Sequence, residues 1–301
     1  KLYSPGATLF ISSLSGNHIF LYLCFPFALP PTTCYIQIMI DLKGSFGTAR
    51  IFTDNVETEC IKQVKELLNQ PWVKGLKIRI MPDCHAGKGC TIGTTMTIKD
   101  KIVPNLVGVD IGCGMTMAKL GKTFIHPDKL DPFIHSHIPA GFNIHNKRRT
   151  YNKLFDLKCL AAINQDRALK SIGTLGGGNH FIEVNKDEAD NFYLVVHSGS
   201  RHPGKQIADY YQKLAYSTIA RHHRVKEKTI RDLKQQGNHK QIQSQITRAP
   251  IPKKDLAYLE QKEFQNYLHD MAIAQHYAAT NRRAMLNNIL QNFLKIDPKS
   301  V

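Results

Sequence analysis

Three glycine-dense turns constrain this chain more than any other feature, because each adjoins an apolar strand-like segment and each carries an Asp, Cys or His. Gly108 to Gly114 (GVDIGCG) holds three glycines in seven residues. Gly173 to Gly178 (GTLGGG) leads into Asn179 and His180 and then the strand-like Phe181 to Val184; His197 to Arg201 (HSGSR) follows the apolar Phe192 to Val196. Glycines at this density let the backbone approach a ligand closely or take positive φ. A fold that gathers these turns would gather their polar side chains too.

With 301 residues, 42% of them hydrophobic, the chain has material for a real core, which excludes disorder, a collagen-like fibre and a disulfide-stapled miniprotein. Its formal charge of +16 calls for an acidic partner, nucleic acid first and an anionic membrane second. The seven cysteines form no even framework of pairs, so they read as reduced thiols in a cytoplasmic protein. The chain begins at Lys1, and its strongly apolar run, Ile19 to Leu29, has 11 residues and contains Pro26. A bilayer span needs about 20 apolar residues. A secretory signal would also need a cleavage site that is missing, so residues 1–38 are expected to be a disordered or spurious leader, with Met39 the natural start.

Beyond Met39, helices and short strands alternate. Asp54 and Glu57 have capping-box spacing ahead of a helix that carries Val56, Cys60, Ile61, Val64, Leu67 and Leu68 as far as Pro71. Leu76 to Met81 alternates like a half-buried strand and leads into PDCHAGKG. Gln206 to Arg221 reads as a helix. The stretch 221–254 then loses apolar rhythm and carries ten Lys or Arg against two acids, half of the net charge, as a solvated insertion or an RNA-contacting arm. Asp255 to Leu294 reads as two helices, and there is no internal repeat.

Asp110 and Cys113 share one turn as Asp-x-x-Cys, and His180 and His197 supply two imidazoles from elsewhere. Any one of the four, taken singly, is ordinarily structural. Together they form a divalent-metal set in which a thiolate can bridge two ions. Cysteine and histidine favour zinc, whereas an open site facing phosphates suits manganese or magnesium. Gly176 to Gly178 can offer amides to a phosphate, and Arg201 can fork onto one. Cys84 and His85 are a second, lesser pair, because neighbours in an extended chain point apart.

MPDCHAGKG, VGVDIGCGM, GGGNHFIEV and VVHSGSR, in this order, with GTARIFTDN before them and YLHDM and NRRAM after, resemble the RtcB family of RNA-splicing ligases from about Met39 to Met285. The resemblance implies an α+β fold, a mixed α/β domain with a metal centre at strand-end glycine turns. It implies two Mn2+ ions, one held by Asp110, Cys113 and His180, the other by Cys113 and His197. It implies a guanine-nucleotide contact from Asn179, His180, Phe181, Ile182 and Glu183, with Arg201 on an RNA phosphate. The implied reaction joins RNA 2′,3′-cyclic phosphate or 3′-phosphate ends to 5′-hydroxyl ends, using GTP through a guanylylated histidine, with an archease-like helper as a further partner and no membrane.

The sequence departs from the family after NRRAM: the His-Asn motif and the His-Gly-Ala-Gly segment with the guanylylated histidine are not present before Val301. His269 and His276 lie in a helix and match neither. Residues 39–301 therefore read as the front two-thirds of such a ligase, with no self-guanylylation expected of this chain alone. Two other classes stay open, a remnant that binds metal or RNA without ligation and a metal-dependent phosphoesterase.

Overall fold

A computed structural model of the chain describes residues 8–11, 21–24, 39–238, 241–242, 244 and 253–300. Most of the expected leader, including most of its apolar run, and much of 239–252 in the basic insertion lie outside the described residues. Strands β1 (Thr8–Ile11) and β2 (Leu21–Cys24) pair antiparallel. No helix among the described residues is long and apolar enough to cross a membrane.

The first layer is a sheet of β3 (Ile40–Lys43), β4 (Thr48–Ile51), β5 (Ile78–Ala86) and β6 (Thr91–Met96), in that order. Helix α1 (Thr58–Leu68) makes the crossover between parallel β4 and β5. It buries Cys60, Val64, Leu67 and Leu68 against Ile51, Ile78 and Ile80, four of the six apolar residues its spacing predicts; Ile61 is half-buried and Val56 precedes the helix. The Asp54–Glu57 capping box does not form: Glu57 is itself the extended cap residue and makes no side-chain cap, which leaves Asp54 outside the first turn. Strand β5 also runs on through Pro82 to Ala86, where a loop was expected. Pro82 has no N–H to donate, and the pairing with β6 shifts register between Ile80 and His85.

The second layer follows β7 (Lys101–Ile102) and the short α2 (Pro104–Val107). Its elements are β8 (Gly114–Gly121), α3 (Pro127–His137), α4 (Gln165–Ser171), β9 (Phe181–Lys186), β10 (Phe192–Ser198), α5 (Arg201–Gln235), β11 (Leu259–Glu260) and α6 (Gln261–Asn288). Strands run in the order β8-β10-β9, all antiparallel, and β11 pairs with β7. Leu194 and Val196 of β10, with Ala118 and Leu120 of β8, pack on Met285 and Leu286 of α6 and on the wider turn Ile289–Leu294 that ends it. Ile207, Ala208, Tyr211 and Ala215 of α5 meet Phe264, Tyr267 and Met271 of α6 in a second core. Helices and strands are thus mixed, as an α+β fold requires.

Two helical expectations change. Asp255 to Leu294 holds one 28-residue helix where two were expected, because nothing from Gln261 to Leu294 is Gly or Pro. Helix α5 starts at Arg201 and runs 35 residues, well past Arg221. Apolar rhythm stops where the helix leaves the core, not where it ends, since periodicity reports one buried face and nothing else. Arg221 to Gln235 is therefore helix rather than loop.

The register of the second sheet sets up the site. Ser198 lies opposite Gly114 and His197 opposite Phe181, so three strand ends meet at one edge. Cys113 immediately precedes β8, His180 immediately precedes β9, and His197 is the last residue but one of β10.

Candidate metal centre

Asp110, Cys113 and His180 present one donor atom each within 4.8 Å of one another, the one cluster of three His, Cys, Asp or Glu donors among the described residues. His180 Nε2 lies 3.0 Å from Asp110 Oδ2 and 3.6 Å from Cys113 Sγ. On the other side of the sulfur, His197 Nε2 lies 3.1 Å from Cys113 Sγ. The thiol therefore stands between two imidazoles.

Both rings are oriented from behind. His180 Nδ1 donates to the Leu175 carbonyl at 2.8 Å, and His197 Nδ1 to the Asn179 carbonyl at 3.0 Å. Each Nε2 then turns a lone pair toward Cys113, the carbonyl-anchored geometry that metal-binding imidazoles adopt. For His180 the lone pair also faces a carboxylate oxygen, so two acceptors confront each other at 3.0 Å. Such a pair calls for a positive centre between them, a proton or a cation. Carboxylate, sulfur and nitrogen donors suit a divalent transition metal.

Burial pushes the Asp110 carboxyl up, but His180, through hydrogen bonding and charge, together with Cys113 and the Ser200 amide outweigh it and hold the carboxyl below its usual range. Ser200 adds a backbone N–H at 3.0 Å to Oδ1. Burial, and then the Asp110 charge, push the Cys113 thiol up to about 12. A thiol this reluctant to ionise becomes a ligand only beside a cation, which inverts the local field. His197 is shifted down by burial and by the neighbouring His180.

Glycine is demanded by contact here. A Cβ on Gly199 would sit 2.0 Å from Asp110 Oδ2, and one on Gly176, at φ +90°, would sit 1.7 Å from Arg201 Nη1. Arg201 itself has φ +56°, an uncommon conformation for a residue with a side chain, at the head of α5. Its Nε donates to Thr174 Oγ1 at 3.0 Å and its Nη2 to the Gly141 carbonyl at 2.9 Å, which ties the guanidinium to the turn ahead of His180.

Sequence reasoning missed the residues that hold the three turns together, although they stand in the NRRAM motif. Buried Asn281 accepts from the Gly173 and Thr174 amides and donates to Thr174 O, Ser198 Oγ and Gly199 O. Arg282 donates to the Gly112 and Ser198 carbonyls at 2.8 and 2.9 Å and to Thr116 Oγ1 at 3.1 Å. The signal for them was polar residues on a helix face that is otherwise core.

The other candidates divide. Asn179 and Glu183 are exposed, and the Phe181 ring packs edge-on to His197 at 5.0 Å. Ile182 turns its side chain into the core beneath the sheet, so any ligand contact falls to its main chain. Gly177 and Gly178 are exposed beside the site. Cys84 is buried under α1, with its thiol pushed up to about 11 by burial, and neither Cys84 nor His85 belongs to the three-donor cluster. On α6, His276 engages Tyr151 Oη and His269 engages Asp270.

The family model described as tRNA-splicing ligase RtcB matches residues 63–158 and 143–300. The RNA-splicing ligase RtcB of Escherichia coli K12 is 31% identical over 272 residues, covering 82% of this chain and 60% of that protein. The tRNA-splicing ligase RtcB of Methanococcus maripaludis is 26% identical over 305 residues, covering 83% and 58%. RNA-splicing ligase RtcB homolog 2 of Entamoeba dispar is 24% identical over 301 residues, covering 81% and 52%. The chain thus spans 60% or less of the length of these curated relatives. The glycine turns, the donors they carry and the α6 motif that braces them all fall inside the matched residues, and the chain belongs to the RtcB family.

Proposed function

We propose that this site serves RNA ligation of the RtcB type, joining 2′,3′-cyclic phosphate or 3′-phosphate ends to 5′-hydroxyl ends with GTP and Mn2+ through a guanylylated intermediate. The observation that carries the reading is Cys113 Sγ between two imidazole Nε2 atoms, with a carboxylate beside one of them, in a chain of this family. Asp110, Cys113 and His180 would hold one Mn2+, and Cys113 with His197 a second. Bound there, the cations would neutralise charge on phosphoryl oxygens and align attack.

The chain's own residues do the positioning. The Leu175 and Asn179 carbonyls fix both imidazoles, so ligand geometry needs no rearrangement when a cation arrives. Arg201, clamped by Thr174 and Gly141, keeps N–H groups free for a terminal phosphate. Asn179, Phe181 and Glu183, with the main chains of His180 and Ile182, offer a strip for the guanine nucleotide. A cytoplasmic setting and an archease-like helper belong to the same reading.

A second reading, binding of metal and RNA without ligation, is favoured by one observation: residues 221–254 carry ten Lys or Arg against two acids, a charge that can hold RNA without any turnover. One experiment separates the two. The chain is given Mn2+, GTP and an RNA pair with 3′-phosphate and 5′-hydroxyl ends. A joined product that disappears in Asp110→Ala supports ligation. Mn2+-dependent binding of the 3′-phosphate end with no product supports the second reading. Release of inorganic phosphate identifies a phosphoesterase and defeats both readings, as does the absence of joining, binding and release alike.

A further inference from the structure

We propose that the solvent side of α5 is a track for the phosphodiester backbone of RNA, separate from the metal centre and joined to it by one helix. The helix begins at Arg201 beside the site, buries Ile207, Ala208, Tyr211, Ala215 and Thr218 on one side, and buries nothing further to Gln235. At about 100° per residue, Lys213, Arg221, Arg224, Lys228 and Arg231 fall in one stripe about 80° wide, roughly 90–170° around the helix from the centre of the buried side. All five are exposed. At about 1.5 Å per residue, the stripe extends about 27 Å.

Its charge is only partly offset on the helix itself. From 213 to 235 there are seven Lys or Arg and two acids, Glu227 and Asp232. Among the described residues none of the five stripe cations makes an ion pair, although Lys205 and Asp209 pair one turn earlier on the same helix. Like charges three and four residues apart destabilise a helix, and a helical stretch without tertiary packing is marginal. A polyanion laid along the stripe removes that repulsion. Five exposed cations along one helix match a linear array of phosphates, and the exposed Tyr210 in the same stripe offers a face on which a base can stack.

This inference rests on the proposed RNA substrate, so its test separates the two. Binding of a short fluorescein-labelled single-stranded RNA with plain hydroxyl ends is followed by anisotropy over a salt series. The five stripe residues are replaced by Gln, which preserves helix propensity, and circular dichroism checks that the helix persists. Each lost phosphate contact lowers the magnitude of the slope of log K against log salt by about 0.7, so the expected fall is about 3.5. A control variant replaces exposed Lys43, Lys62, Lys65, Lys74 and Lys77 by Gln. A slope unchanged in the stripe variant, or lowered equally in the control, overturns the proposal. RNA with a 3′-phosphate reports the other reading: if the wild-type chain does not distinguish it from hydroxyl-ended RNA, the ligation site is in error while the track stands.

Discussion

Arg282 Nη1 lies 2.8 Å from the Gly112 carbonyl and 2.9 Å from the Ser198 carbonyl, so one guanidinium nitrogen ties the turn before Cys113 to the residue after His197. Lysine keeps the charge but has no planar fork to serve these two carbonyls and Thr116 together. Arg282→Lys is expected to weaken Mn2+ binding about 10- to 100-fold. Its cost in stability is expected to be about 1–3 kcal/mol, from buried carbonyls left unpaired. Calorimetric titration and denaturant unfolding check the two effects.

Cys113→Ala removes the atom that stands between His180 and His197. Mn2+ affinity is expected to fall by at least about 100-fold, since the remaining donors no longer share a ligand. Cys90→Ala serves as control, because Cys90 is buried elsewhere, against the Asn105 carbonyl. Equal affinities in wild type and Cys113→Ala would remove the thiol from the centre.

Gly199→Ala tests the same site from the steric side. The new methyl would stand 2.0 Å from Asp110 Oδ2, and the carboxylate has to swing away from His180 to admit it. Mn2+ binding is expected to be lost while the melting temperature changes little, because a side chain moves and no backbone rearranges. Unfolding of the variant, seen by circular dichroism, would contradict this.

Asp270 is fully buried and accepts from the Lys158 and Cys159 amides and from Tyr211 Oη, at 2.8, 3.0 and 2.8 Å. The YLHDM motif is thus a brace between α6, α5 and the segment before α4. Asp270→Ala strands all three donors and is expected to cost about 3 kcal/mol or more, read from urea unfolding. Mn2+ affinity of the folded fraction is expected to stay within about twofold, since additivity holds for sites without shared partners.

The legible parts of this protein were those with local causes. Helix α1 follows from apolar spacing, the strands around His197 and Phe181 from their apolar runs, and the donor residues from glycine-rich turns. Where a cause was not local, the reading went astray. The expected cap at Asp54 fails because the helix starts at Thr58, and the end expected near Arg221 fails because loss of burial was taken for loss of helix.

Residue types and spacing were enough to nominate Asp110, Cys113, His180 and His197, since only such side chains bind transition metals and only glycine-dense turns bring backbone so close. They could not rank the nominees. Strand register puts His197 opposite Phe181 and Ser198 opposite Gly114, and this pairing of residues far apart in the chain places the sulfur between the imidazoles. The roles of Asn281 and Arg282 likewise emerge only when α6 lies under the sheet, because a hydrogen bond across more than 80 residues leaves no trace in local sequence.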